Sequence, residues 1–224
     1  MKKTDAKPKP VSLDPALEIC SDVQHYLECA ANCDEDVCNV RLSGGSIGKL
    51  DFSRLYFENV VFDHCVFTGT ILHGCSFDNV LFEHCAFPGC DFADSRFLQC
   101  EFRDFQCKSA NFSNSRMTNV VFENSNLKYV NFTSSQFDTC SIAKSDLSDS
   151  FFAKCSFKCL AVKESQFTQT EFFHTSLRGI DFTTCRLEGI RLSNEGKELD
   201  GAIVDLYQAA ELAKLLGLII KEDS

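Results

Sequence analysis

The sequence predicts an all-β solenoid: a quadrilateral parallel β-helix of about eight coils, closed at its C-terminal end by a helix. Three observations lead there. From Leu42 to Leu192 every residue whose number ends in 2 or 7 is apolar, 31 positions without an insertion, 19 of them Phe. Two residues earlier in each repeat, mostly small residues recur (Cys65, Thr70, Cys75, Val80, Cys85, Cys90). Finally, Glu58–Phe67 reads ENVVFDHCVF and Asp78–Phe87 reads DNVLFEHCAF, a secondary period of twenty.

A spacing of five fits neither common template. On an α-helix it advances the face by about 140° per step, and on a flat strand it alternates faces. A backbone that bends once per repeat keeps every fifth side chain on the inside, and a period of twenty puts four such sides in one coil. Parallel rungs lie ~4.8 Å apart, so the rod is about 37 Å long. One large and one small residue then point inward on each side. Phe62, Phe82, Phe102, Phe122 and Phe182 fall in one core column. Where the small slot holds Phe105 the central residue shrinks to Cys107, and where it holds Leu160 the central residue is Val162. Such swaps conserve volume in a close-packed interior.

The chain divides into a disordered tail over 1–10, an N-terminal cap over 11–41, the β-helix over 42–192, and a C-terminal connection, helix and dimerisation segment over 193–224. In the cap, Leu17, Ile19, Val23 and Leu27 follow Asp14-Pro15, a helix-start signal. At the other end Asp205 and Gln208 form a capping-box pair, and Gly217 supplies a left-handed stop after Leu216. The helix between them is apolar on most of its circumference, which points to packing on the last coil with one side and on a second subunit with the other.

Composition narrows the function. With 224 residues there is room for one sizeable domain; the net charge of −10 disfavours nonspecific binding to nucleic acid or anionic membrane. No apolar run is long enough for a membrane span. The Lys/Pro-rich start Met1–Pro10 has no apolar stretch after it and does not read as a signal peptide, so a cytoplasmic location with free thiols is expected for the 14 cysteines. Eight cysteines sit in the small inward column and Cys107 in a central slot, where a thiol acts as a small apolar filler. Cys29, Cys33 and Cys38 lack a standard zinc spacing. His64 and His84 lie one coil apart and are expected to stack outside as a surface pair, not a shared metal site. Phe151 and Phe173 face outward near the C-terminal end and are expected to be covered by the connection after Leu192. There is no phosphate loop, nucleophile elbow or HExxH, and a filled solenoid offers no catalytic cleft. The expectation is therefore no enzyme, no cofactor, no metal and no catalytic residue.

The five-residue pattern, small–Asp/Asn–Leu/Phe–polar–any, resembles that of the pentapeptide repeat proteins, which implies a right-handed coil. The stretch Gln208-Ala-x-x-Leu212-Ala-x-x-Leu-Gly217-Leu-x-Ile220 resembles the C-terminal dimerisation segment of the Qnr-type subfamily. That resemblance implies a homodimer joined through its C-termini, with Leu206, Ala209, Ala210, Ala213, Leu216, Leu218, Ile219 and Ile220 at the interface. It also implies a protein partner, DNA gyrase or topoisomerase IV, bound by a rod that mimics DNA and lessens quinolone poisoning. The uninterrupted register leaves no coil-breaking loop of the kind many such proteins carry.

Residues 42–192 hold 17 acidic and 14 basic residues, a net of only −3. The side beginning at Leu42 is the acidic one, with Asp63, Glu83, Glu101, Asp104, Glu123, Glu164 and Asp181. It is read either as a solvated face or as the surface that meets basic residues of the topoisomerase. A pentapeptide-repeat scaffold with a different protein partner is the alternative.

Overall fold

The structure, a computed structural model, describes residues 7–221. Its organising feature is a corner every five residues. From Asn39 to His174, non-glycine residues at numbers ending in 4 or 9, Lys49 apart, carry φ of 50–65°, including bulky Arg54, Tyr129, Lys144 and Lys154. The left-handed region costs an L-residue about 1–2 kcal/mol. Asn, Asp and Gly take many of these corners because they tolerate it best.

Between corners lie the sides. Tyr56–Asp63 bends through Asn59 and supplies two adjoining sides; Gln136–Ala143 and Ser156–Lys163 do the same. Successive rungs pair in parallel at a register of twenty, as in Phe57↔Phe77, Phe62↔Phe82 and Phe102↔Phe122. The other two sides are held chiefly by single bridges such as Asp91↔Asn111 and Gln106↔Asn126. The column from Leu42 to Phe182 spans seven turns of twenty residues. At both ends the register lengthens to twenty-two: Glu18↔Val40 at the start and Asp181↔Ile203 at the finish.

All of the 31 central side chains are buried except Phe157 and Leu192, which are half-buried. The rings of Phe62, Phe82, Phe102 and Phe122 stack face to face at 4.9, 4.6 and 4.6 Å. Each buried ring is worth roughly 2 kcal/mol of transfer free energy, so a side chain of one shape can fill each slot at the rung spacing. The small column is polar for a reason of its own. Ser115 Oγ donates to the Phe92 carbonyl at 3.0 Å and accepts from the Ser95 amide at 3.3 Å, and Ser135 repeats this one rung later. Backbone groups that point into the core are thereby satisfied. Cysteine thiols do the same work, as with Cys75 and the Phe52 carbonyl at 3.2 Å. Burial pushes the thiols of Cys75, Cys100, Cys140 and Cys155 up to about 12, which keeps them protonated and inert.

The N-terminal end departs from expectation. The segment Glu18–Cys20 is a strand that pairs with the first full rung, and α1 (Val23–Cys33) begins after Asp22, eight residues later than the Asp14-Pro15 signal suggests. Asp14 instead accepts from the Ala16 amide in a local turn. Val23, Leu27 and Ala30 of α1 close the end of the core. At the other end α2 (Leu206–Leu215) carries the expected capping box, and Gly217, at φ 86°, stops it. Gln208 does more than cap: its Nε2 donates to the Phe182 and Cys185 carbonyls at 2.8 and 2.7 Å, tying the helix to the last coil. Glu198 turns inward and accepts from the His174 and Ser193 amides, which lack a further rung to bond. Burial opposes its ionisation, but these hydrogen bonds outweigh it and hold the carboxyl below its ordinary range.

The pairing of Phe105 with Cys107 is preserved: both are fully buried, and the Phe105 ring lies 4.9 Å from that of Phe102. Phe105→Ser should cost about 3–5 kcal/mol, and Cys107→Phe alone about 1–3 kcal/mol through overpacking. The double variant should recover on the order of 2 kcal/mol of their sum. Chemical denaturation of all four proteins checks this; strict additivity would refute volume exchange between the two slots.

Candidate functional site

Because the interior is filled, whatever the protein recognises must meet its outside. Concave surface occurs at the C-terminal end, where a groove of about 490 Å³ lies among His174, Thr175, Ser193, Lys197 and Glu198. A second, of about 480 Å³, lies among Phe173, Ile190, Leu192, Leu215 and Leu216. Phe151 and Phe173 are half-buried, and Phe173 lines this groove together with the end of α2 and the start of the connection after Leu192.

The acidic side is less acidic than its composition. Asp63 is held by Arg41 at 3.3 Å and lies 2.6 Å from His64 Nδ1. Asp104 faces His84 at 3.6 Å and accepts from Asn124. Glu123 and Glu164 pair with Lys144 and Lys163 at 3.8 and 3.1 Å. Asp181 accepts from the Thr183 hydroxyl and amide, which hold its carboxyl below the usual range, so its role is to shape a turn. Among the described residues no salt bridge engages Glu83.

Glu101 corrects the sequence reading outright. It is 4% exposed, paired with Arg103 and accepting from the Val11 amide at 2.7 Å, and so presents no charge to a partner. What covers it is the N-terminal segment. The tail expected to be disordered over 1–10 lies outside the described residues for Met1–Ala6, but Lys9 and Pro10 are not free. The segment runs along the rod axis on a corner ladder of side-chain amides. Asn79 accepts from the Ser12 amide and donates to its carbonyl, both at 2.8 Å, and Gln99 donates to the Pro10 carbonyl at 2.7 Å. Asn119 accepts from the Lys9 amide at 3.4 Å. From Gln99 to Asn39 the ladder is joined, since Gln99 donates to Asn79, Asn79 to Asn59 and Asn59 to Asn39. A run of Asn/Gln at positions 39, 59, 79, 99 and 119 was visible in the sequence as good corner residues. That the same amides would receive a distant peptide backbone was not.

The proposed interface residues at the C-terminus separate into two groups. Leu206 is 81% exposed, Ile219 91%, and Ala209, Leu216, Leu218 and Ile220 are also exposed. Ala210 and Ala213 are half-buried, and Leu212 is the one buried residue of α2. Tyr207 and Leu215, outside that interface set, are exposed and enlarge the apolar patch. No helix among the described residues is long and apolar enough to cross a membrane.

Comparison with known proteins agrees with the repeat geometry. Residues 49–83 match the family model for pentapeptide repeats (8 copies), and residues 75–152 match that for a pentapeptide repeat region. Residues 49–152 are a pentapeptide-repeat region. No curated protein matches the chain in sequence. Among solved structures, the chain is similar to trypsin-treated QnrB1, a plasmid-mediated fluoroquinolone resistance protein. That similarity has 16% identity over 81% of this chain and 100% of the other, with a TM-score of 0.42. HetL, a pentapeptide repeat protein involved in heterocyst differentiation regulation from the cyanobacterium Nostoc sp. strain PCC 7120, shows 10% identity over 81% and 97%, with a TM-score of 0.35. The pentapeptide repeat protein Rfr23 from the cyanobacterium Cyanothece 51142 shows 8% identity over 81% and 99%, with a TM-score of 0.25.

The seating of the N-terminal segment is open to direct test. The Val11 and Ser12 amides should be protected in hydrogen exchange despite lying near the chain start, and Asn79→Ala should release Ser12 first. Exchange of both at the free-peptide rate in the unaltered chain would contradict the ladder.

Proposed function

We propose that the chain is a homodimeric binding protein that engages another protein through its outer sides. In its most specific form it is a DNA-mimicking partner of DNA gyrase or topoisomerase IV that protects it from quinolone-type poisoning or competes with DNA for it. The observation that carries the binding role is the C-terminal patch of Leu206, Tyr207, Leu215, Leu216, Leu218 and Ile219 on a rod with a filled core. An apolar surface of that kind is stable in water when a second molecule covers it. A two-fold arrangement places the same patch on both subunits and doubles the length of the rod. The choice of a topoisomerase rests on the resemblance of Gln208–Ile220 to the Qnr-type terminal segment.

DNA mimicry asks for net negative charge facing the partner, and here Glu83 with the loosely paired Glu123 supplies most of it on the acidic side. The pairwise neutralisation of Asp63 by Arg41 and of Glu164 by Lys163 favours the second reading, a pentapeptide-repeat scaffold for a different protein partner. A supercoiling assay with and without a fluoroquinolone separates them: a gyrase-directed protein changes activity or drug-induced cleavage, and Glu83→Lys/Glu123→Lys should abolish that effect in a folded protein. No change in either readout would exclude the topoisomerase reading.

The dimer is tested apart from the target. Light scattering should give twice the chain mass for the full protein, and Leu206→Glu/Ile219→Glu should give one. A full-length monomer, or a dimer that survives both charges, would remove the C-terminal interface.

A further inference from the structure

The stacked pair His64 and His84 has no part in the binding role proposed above. In a parallel solenoid, residues twenty apart stand on neighbouring rungs ~4.8 Å apart, so a donor repeated in one column places two ligands side by side. The corner column Gly44, His64, His84, Asp104, Asn124 does this with imidazole. The two rings stack with centroids 4.7 Å apart and planes 23° apart. One donor atom from each of Asp63, His64 and His84 lies within 4.8 Å of the other two.

The surroundings favour an ion. Asp63 Oδ2 is occupied by Arg41 Nη1 at 3.3 Å and Ser43 Oγ at 3.5 Å, which fixes the carboxylate and leaves Oδ1 directed at His64. Ligating carboxylates are commonly anchored in this way. Asp104, 3.6 Å from His84 Nε2, flanks the second imidazole. The His64 and His84 side chains are 66% and 47% exposed, so the stack has room to open into a V that aims both lone pairs at one ion. Metal–nitrogen distances of about 2.0–2.1 Å require that small closure. Two imidazoles and one carboxylate, with water at the open positions, form a donor set suited to zinc and its late first-row neighbours.

We propose that Asp63, His64 and His84 form a surface site for a divalent transition-metal ion, bridging two rungs of the solenoid, with Asp104 orienting His84. The main competitor is the thiol of Cys29 beside His25 on α1, with Sγ and Nε2 3.6 Å apart. The experiment is therefore a Ni²⁺ titration of the full chain followed by broadening of the imidazole resonances of all five histidines. His64 and His84 should broaden together, at one ion per chain, before His25, His73 and His174. His64→Asn and His84→Asn suit the corner, since Asn119 and Asn124 hold the same φ there, and each should weaken binding on the order of tenfold or more with the melting temperature unchanged. Asp63→Asn should weaken it as well. Broadening that starts at His25, broadening that is equal at all five, or an affinity untouched by the His84 change would overturn the site.

Discussion

The constraint on which the rest depends is the left-handed corner repeated every five residues. Each corner is locally unfavourable for an L-residue, and none would persist in isolation. It persists here because it returns the next Phe or Leu to the interior in register with the ring below. Stacking at the rung spacing, with backbone hydrogen bonds to both neighbours, then over-determines the corner conformation. Each coil holds its neighbours, as in any solenoid whose units interact only with the ones beside them. Its vulnerable points are the two ends, where backbone amides and apolar rings would otherwise face water.

The two ends are closed differently. At the start, a short strand with a register longer by two residues covers the first rung, and α1 lays Val23, Leu27 and Ala30 over the core. At the finish, Glu198 accepts from amides that lack a further rung, and Gln208 caps both its own helix and two carbonyls of the last coil. The core is thereby closed at the first end, with Ile19 the large apolar side chain left exposed there. The second remains apolar on its outer surface, and the proposed dimer rests on that exposed patch.

The outside is governed by columns as well. A side chain twenty residues on is a near neighbour, so acids do not act as an isolated stripe but pair with Arg, Lys or His on adjoining rungs. Amides at the corners join into a ladder that fastens the N-terminal segment, and two successive histidines become a stacked pair. Recognition by such a rod is read from columns, each with its own chemistry, and not from a pocket.

The repeat was fully legible in the sequence, because a period of five with a superperiod of twenty admits few backbones, and the inward slots need only size and polarity to declare themselves. Phe62, Phe102 and Phe182, the Phe105–Cys107 exchange and the cap at Asp205 were readable for that reason. The start of α1 was not, since Asp14-Pro15 and Asp22 are both acceptable beginnings and only pairing of Glu18–Cys20 with the first rung decides between them. Nor was the state of Glu101, whose burial depends on a segment ninety residues away in the chain. Contacts at fixed periods can be inferred from the sequence; contacts between a non-repeating segment and the repeat depend on where tertiary packing lays that segment.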